Sequence, residues 1–301
     1  MTGKDIDTVK GMTNYSWYLA NGTKVYCTNG YITIGGDDTY YTTRVKYKAA
    51  SGLDDWEGDI VGDLHGGFTP DWTHRPQPTA QIPNVLSADS IEIGTHVTSL
   101  GQLPFYNCTN ITDVTIPDST LSIGLSAFSN CTNLSSVAIG NGVTSFGKSA
   151  FQGCSPIVNV YITDLAKWCD ISFGNEYANP LFYGVKFYLN GVELTEMTIP
   201  NGVTRIRTYA FSGFSMMTSL TIPNSVTNIG AWAFNYCEGL TSVTIPESVT
   251  TIGGQAFASC SNLMSVTFTG KTMATVQGMA SYKWGLKTGC VLHCSDGDIT
   301  L

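Results

Sequence analysis

The feature that most constrains this chain is a repeat. Ile93, Ile116, Ile139 and Ile162 are each 23 residues apart, and so are Ile199, Ile222, Ile245 and Phe268. The gap from Ile162 to Ile199 is 37, one period plus 14 residues. Other columns keep step: Phe105, Phe128 and Phe151, then Phe211, Phe234 and Phe257, while Leu100, Ile123 and Phe146 are matched by Ile206, Ile229 and Ile252. One such unit cannot bury its own apolar side. Stacked units bury a continuous core and pair their strands with the coils above and below.

The unit from Leu240 to Cys260 shows how one coil is built. Val243 and Ile245 alternate with Ser242 and Thr244, the period of two that marks a short strand. Pro246 ends it, having no N–H to give a ladder. A second extended piece runs from Val249 to Ile252, and Ala256-Phe257-x-x-Cys260 turns the corner with its aromatic pointing in.

The string Ile-Pro-x-Ser-Val-Thr-x-Ile-Gly-x-x-Ala-Phe-x-x-Cys-x-x-Leu, read from Ile222 to Leu240 and again from Ile245 to Leu263, resembles the BspA-type leucine-rich repeats. The likeness covers about residues 90–268. It departs at Gly94, Gly140 and Thr163, where the proline is lost, and at Phe214, where the cysteine is lost. The resemblance implies a right-handed β-solenoid whose role is adhesion or binding at a surface, with no catalytic site.

The reading is therefore mainly β, in three parts. Residues 1–88 form a small β domain and connector, with strands at Tyr15–Leu19, Lys24–Cys27, Tyr31–Ile34 and Thr43–Lys48, and serve as the anchor. Residues 89–268 form the solenoid, and residues 269–301 a helix–hairpin cap with Trp284 as its plug. The 14 extra residues lie within 163–198. There Thr163–Cys169 reads as a capped helical turn and Lys186–Leu194 as a hairpin on Asn190-Gly191, together a bulge on one face. From 49 to 84 the chain is rich in Gly, Asp, Pro and Trp without periodicity.

Composition limits the function. Charged residues are only 13% of the chain, and the net charge is −8. A nucleic-acid binder needs a basic stripe against phosphate, so none is expected. No run approaches the ~18 apolar residues of a membrane span. The N-terminus lacks a signal-peptide core, which implies use without export or a leader already removed.

Chemistry-bearing residues are few. Cys108, Cys131, Cys154, Cys237 and Cys260 occupy one repeat column and read as a buried packing ladder rather than disulfides. No cysteine pair has zinc spacing, so no metal or other cofactor is expected. Asp63, His65, Asp71 and His74 read as a polar loop, and Asp54, Asp55, Glu57 and Asp59 lack the frame of a calcium loop. No hydrolase, phosphate-loop or zinc-protease motif is present, so the chain is read as no enzyme.

Recognition in a solenoid falls to the positions that vary between coils. The residue before Ala-Phe is Ser126, Ser149, Tyr209, Trp232 and Gln255 in successive matching coils. Tyr209 and Trp232 should stack, and with Tyr236, Arg205 and Arg207 they form the candidate patch for a protein or glycan receptor. Two settings compete. In one the chain is a phage virion component, a fibre or decoration protein docked on other virion proteins through its N-terminal domain. The tail Tyr-x-Trp-Gly-Leu…His-Cys-Ser-Asp-Gly-Asp-Ile resembles endings of repeat proteins from gut bacteria and their phages. In the other it is an adhesin on a bacterial surface. A homo-oligomer, such as a fibre trimer, stays open.

Overall fold

The computed structural model describes the backbone of strands Lys24–Cys27, Gly30–Thr33, Thr42–Tyr47, Trp56–Val61 and Ser90–Ile93, and then residues 98–301 except 155–156. The fold is mainly β, a solenoid of about eight turns with a period of about 23 residues. The chain divides into two compact units, residues 1–143 with 149–156, and residues 144–148 with 157–301.

In the first unit, Ser90–Ile93, Asp113–Ile116 and Ser136–Ile139 pair in parallel, one coil above the next. Along Asp113–Ile116, Val114 and Ile116 are buried while Asp113 and Thr115 face water, as the alternation requires. A second, shorter ladder joins Ser99–Leu100 to Ser122–Ile123. At the corner the rings of Phe105, Phe128 and Phe151 stack at 5.3 and 5.4 Å.

Thr42–Tyr47 lies antiparallel on Ser90–Ile93 and also on Trp56–Val61. The connector after residue 49, rich in Gly, Asp, Pro and Trp, thus contains a strand. Glu57 and Asp59 lie in it as the register partners of Lys46 and Arg44. An extended strand cannot wrap a cation as a calcium loop does. The expected strand at Tyr15–Leu19 and the group Asp63, His65, Asp71 and His74 lie outside the described residues.

The second unit repeats the plan. Arg205–Ile206, Asn228–Ile229 and Thr251–Ile252 form its short ladder. Glu196–Thr198 pairs with Ser219–Thr221, and Ser242–Ile245 with Ser265–Phe268. Phe211, Phe234 and Phe257 stack with centroids 5.5 Å apart and planes within 8°. The last coil holds helix α2 of its own kind, Met273–Gln277, and its strand Val291–Cys294 continues the parallel ladder. Gly297–Thr300 then folds back antiparallel. Trp284 is buried, and its carbonyl accepts from the Phe257 N–H at 3.0 Å. That is the bond Ala256 accepts from Phe234 one coil earlier, at 2.8 Å.

The extra residues do more than bulge. Helix α1, Leu165–Cys169, starts at Asp164, whose carboxylate accepts from the Ala166 and Lys167 N–H groups. The chain then returns to the sheet: Lys186–Leu189 pairs in parallel with Asn159–Ile162, Val160 opposite Phe187, so this stretch makes a full coil of 27 residues. A hairpin follows, Lys186–Leu189 with Val192–Leu194, turned by Asn190 and Gly191 at φ 51° and 80°. The 37-residue gap is one long coil plus a ten-residue return. The insertion is a coil rather than a bulge because Lys186–Leu189 rejoins the parallel ladder, with Val160, Phe187 and Trp168 buried inside it.

Candidate functional site

The site grows out of a tight corner. In each matching coil the residue before Ala-Phe takes a left-handed backbone: Ser126, Ser149, Tyr209, Trp232 and Gln255 have φ between 50° and 63°. Small polar side chains bear that conformation at least cost, and bulky ones strain it. Two successive coils of the second unit nevertheless carry aromatic rings there. Tyr209 and Trp232 stack with centroids 6.4 Å apart and planes at 18°, and both stay half-buried.

The long coil supplies the neighbours. Asn179, fully buried, donates to the carbonyls of Tyr209 and Ala210 at 2.7 and 3.1 Å. The Trp168 Nε1 donates to the Ala210 carbonyl at 2.8 Å, and the Arg207 N–H to the Cys169 carbonyl at 3.0 Å. These bonds seat the coil of Tyr209 on the inserted one. Asp170 then takes both arginines: its Oδ1 lies 3.3 Å from Arg205 Nε and 2.8 Å from Arg207 Nε. Burial, with Glu176 close by, pushes the Tyr209 phenol above its usual pKa.

On the far side of the corner, Gly213 has φ 85°, and a Cβ there would fall 2.3 Å from the Phe182 Cα. Only glycine fits. With no side chain at Gly213, the Phe182 ring reaches Tyr236 edge-on at 5.9 Å and Tyr177 at 5.0 Å. Tyr236 is 44% exposed.

The five residues singled out in the sequence therefore fall into three contact groups: Arg205 with Arg207 through Asp170, Tyr209 with Trp232, and Tyr236 with Phe182. Asp170, Glu176, Tyr177 and Phe182 belong to the same corner and escaped the sequence reading, because a segment out of period offers no column to align. The signal available was Phe214. The cysteine column breaks there, and its ring, fully buried, meets Phe187 of the inserted coil at 5.6 Å.

The column of thiols is the other chemical feature. Cys131, Cys154, Cys237 and Cys260 each donate to the carbonyl of the phenylalanine 26 residues earlier, at 2.9 to 3.3 Å. All described cysteines are free. Burial pushes the Cys108 thiol up to about 12, and the Cys169 thiol likewise, helped by Asp164 and Asp170. Cys131 is raised by its bond with Cys154 and by burial, and Cys237 by burial and its contact with Cys260. Such thiols are inert packing groups. Among the described residues, no group of three His, Cys, Asp or Glu is placed to hold a metal ion, and no helix is long and apolar enough to cross a membrane.

Parallel ladders, stacked corner phenylalanines and a 23-residue period define a leucine-rich repeat solenoid. The profile of the BspA type leucine rich repeat region matches in six copies, over residues 83–178 and 184–288, and the chain belongs to this family. Among solved structures, a leucine rich cell surface protein from Faecalibacterium prausnitzii is 32% identical over 59% of this chain and 44% of its own, with a TM-score of 0.39. This chain thus spans less than half of that protein. A leucine-rich repeat protein from Eubacterium ventriosum is 20% identical over 75% and 72% of the two chains, also with a TM-score of 0.39. The pneumococcal vaccine antigen PcpA is 15% identical over 58% and 54%, with a TM-score of 0.35. No curated protein matches the chain.

Proposed function

We propose that this chain is a non-enzymatic binding protein displayed on a surface, and that the corner bearing Tyr209 and Trp232 is where it meets its receptor. One observation carries the reading. Two large rings stand half-exposed in a left-handed backbone position that other coils fill with Ser126, Ser149 and Gln255. The fold does not need them there. Binding surfaces use such rings as rigid anchors of low entropic cost.

The surface we propose is that of a phage particle, with the N-terminal strands docked on other virion proteins. The tail ending in His293-Cys-Ser-Asp-Gly-Asp-Ile299 supports it, and so do the free stacked thiols, which suit folding in a reducing cell interior. The family's usual role favours the second reading, an adhesin on a bacterial surface. Immunogold labelling of purified particles and of whole bacteria from the same culture tests both. Label on capsids or fibres is expected; label confined to cell envelopes would move the protein to the bacterium. Label found only in the cell interior would end both readings.

A further inference from the structure

The corner of Tyr209 and Trp232 is built on a strained backbone, and the inserted coil holds it. We propose that Asn179 is the positioning residue of this corner: its side-chain amide replaces a missing backbone rung and fixes Tyr209 where its ring stacks on Trp232. The inference rests on the reading of the corner as the receptor site.

Between regular coils the rung at this corner joins backbone to backbone. The N–H groups of Phe105, Phe128, Phe211 and Phe234 each donate to the alanine carbonyl of the next coil, at 2.8 to 2.9 Å. The inserted coil passes the corner as a short 3-10 turn, Pro180–Tyr183, whose leading N–H groups are absent or spent. Pro180 has none. The Leu181 N–H donates to Asn179 Oδ1 at 2.9 Å, and the Phe182 N–H to the Asn179 carbonyl at 3.1 Å. Side chains supply the rung instead. The Ala210 carbonyl accepts from Trp168 Nε1 at 2.8 Å and from Asn179 Nδ2 at 3.1 Å, and the same Nδ2 donates to the Tyr209 carbonyl at 2.7 Å.

Asn179 is fully buried, and both ends of its amide are used: Oδ1 caps the turn, and Nδ2 reaches the two carbonyls. A buried amide is costly unless it is hydrogen-bonded, and this one bonds the backbone that most needs support. Tyr209 has φ 63°, a strained conformation for an aromatic residue, which lasts only where the surroundings fix it. Its N–H donates to the Ala231 carbonyl at 3.1 Å on one side, and its carbonyl takes the Asn179 amide on the other. Between these two bonds the direction of the side chain is set, and with it the stack on Trp232. Trp168 Nε1 bonds the Ala210 carbonyl, so it secures the coil one residue past Tyr209.

The test follows the indole N–H signal of Trp232 by NMR in the full chain, assigned by its loss in Trp232→Ala. Its position in Tyr209→Ala marks the unstacked state. Asn179→Ser keeps a hydroxyl to cap the turn and loses the amide that reaches Tyr209. In this variant, folded by circular dichroism, the signal should move towards its place in Tyr209→Ala. Trp168→Phe, which removes the other donor to Ala210, should leave it near its place in the parent. An unmoved signal in folded Asn179→Ser, or an equal shift in Trp168→Phe, would overturn the inference. In the unaltered chain the Asn179 amide protons should exchange slowly with deuterated water, a measurement that stands even where the variants fail to fold; fast exchange would overturn the inference too. Cell binding separates the positioning from the role it serves. Asn179→Ser should weaken binding at least about fivefold. A lost stack with cell binding unchanged would sink the receptor reading and spare the positioning.

Discussion

At the residue scale the stack is held by columns of identical side chains, and the cysteine column shows how. Each thiol is small enough to lie over the one below and adds a second donor to a phenylalanine carbonyl that already accepts the backbone N–H three residues on. Native protein should show the column thiols unreactive to a thiol reagent until denaturant is added, and its intact mass should not rise on reduction. A mass gain would reveal a disulfide. Because burial raises Cys108 from 9.0 to about 12, the folded state holds the proton more tightly than the unfolded one. Its contribution to stability is then complete below pH 9.0 and is lost as pH climbs through about 12. Chemical denaturation followed across that range should show the midpoint falling; a flat profile would mean that the thiols titrate freely in the fold. The ring columns divide differently. Phe234→Ala opens a cavity between two stacked rings and should cost about 3–5 kcal/mol. Trp232→Ala, at a half-exposed position, should cost about 1 kcal/mol or less. Equal losses in urea denaturation would make Trp232 a core residue.

At the element scale, the regular coils were legible in the sequence and the irregular one was legible only in pieces. Val243 and Ile245 alternate with polar neighbours, so their strand could be read directly. Helix α1 and the Asn190-Gly191 hairpin could also be read, since caps and tight turns are local chemistry. Their assembly into a 27-residue coil could not. Closure depends on Val160 lying beside Phe187 and on Asn179 reaching the Tyr209 carbonyl, contacts that no local pattern encodes. The strand Trp56–Val61 was hidden for a related reason, since Gly58 and two acids interrupt any alternation. The candidate site was half legible. Tyr209 and Trp232 stood out because they break a column, whereas Asp170, Glu176 and Phe182 sit where there is no column to break. If α1 seats the long coil, Asp164→Ala should cost about 1 kcal/mol through loss of its cap. It should also free Arg207 to move, visible as broadened Arg Nε signals by NMR. Unchanged signals would mean that the Asp170 ion pair forms without help from the helix.

At the scale of the whole molecule, repetition supplies a stable frame and the departure from it supplies the site. The coil that falls out of period brings Asp170 and Glu176 to the edge where the aromatic column begins. The last strand, Gly297–Thr300, folds back on its neighbour as a hairpin, which protects an edge facing water. If the N-terminal strands are the anchor, antibodies against the repeat should label intact particles while antibodies against residues 1–61 label them only after disruption. The reverse pattern would exchange anchor and display. The central claim, that the corner of Tyr209 and Trp232 is the receptor site, is tested most directly by flow cytometry. Labelled full chain and its Tyr209→Ala/Trp232→Ala variant are titrated onto the same gut bacterial cells. Saturable binding that falls at least about tenfold in the variant, with the circular dichroism of the fold retained, is the predicted result. Equal binding by a folded variant would contradict the account.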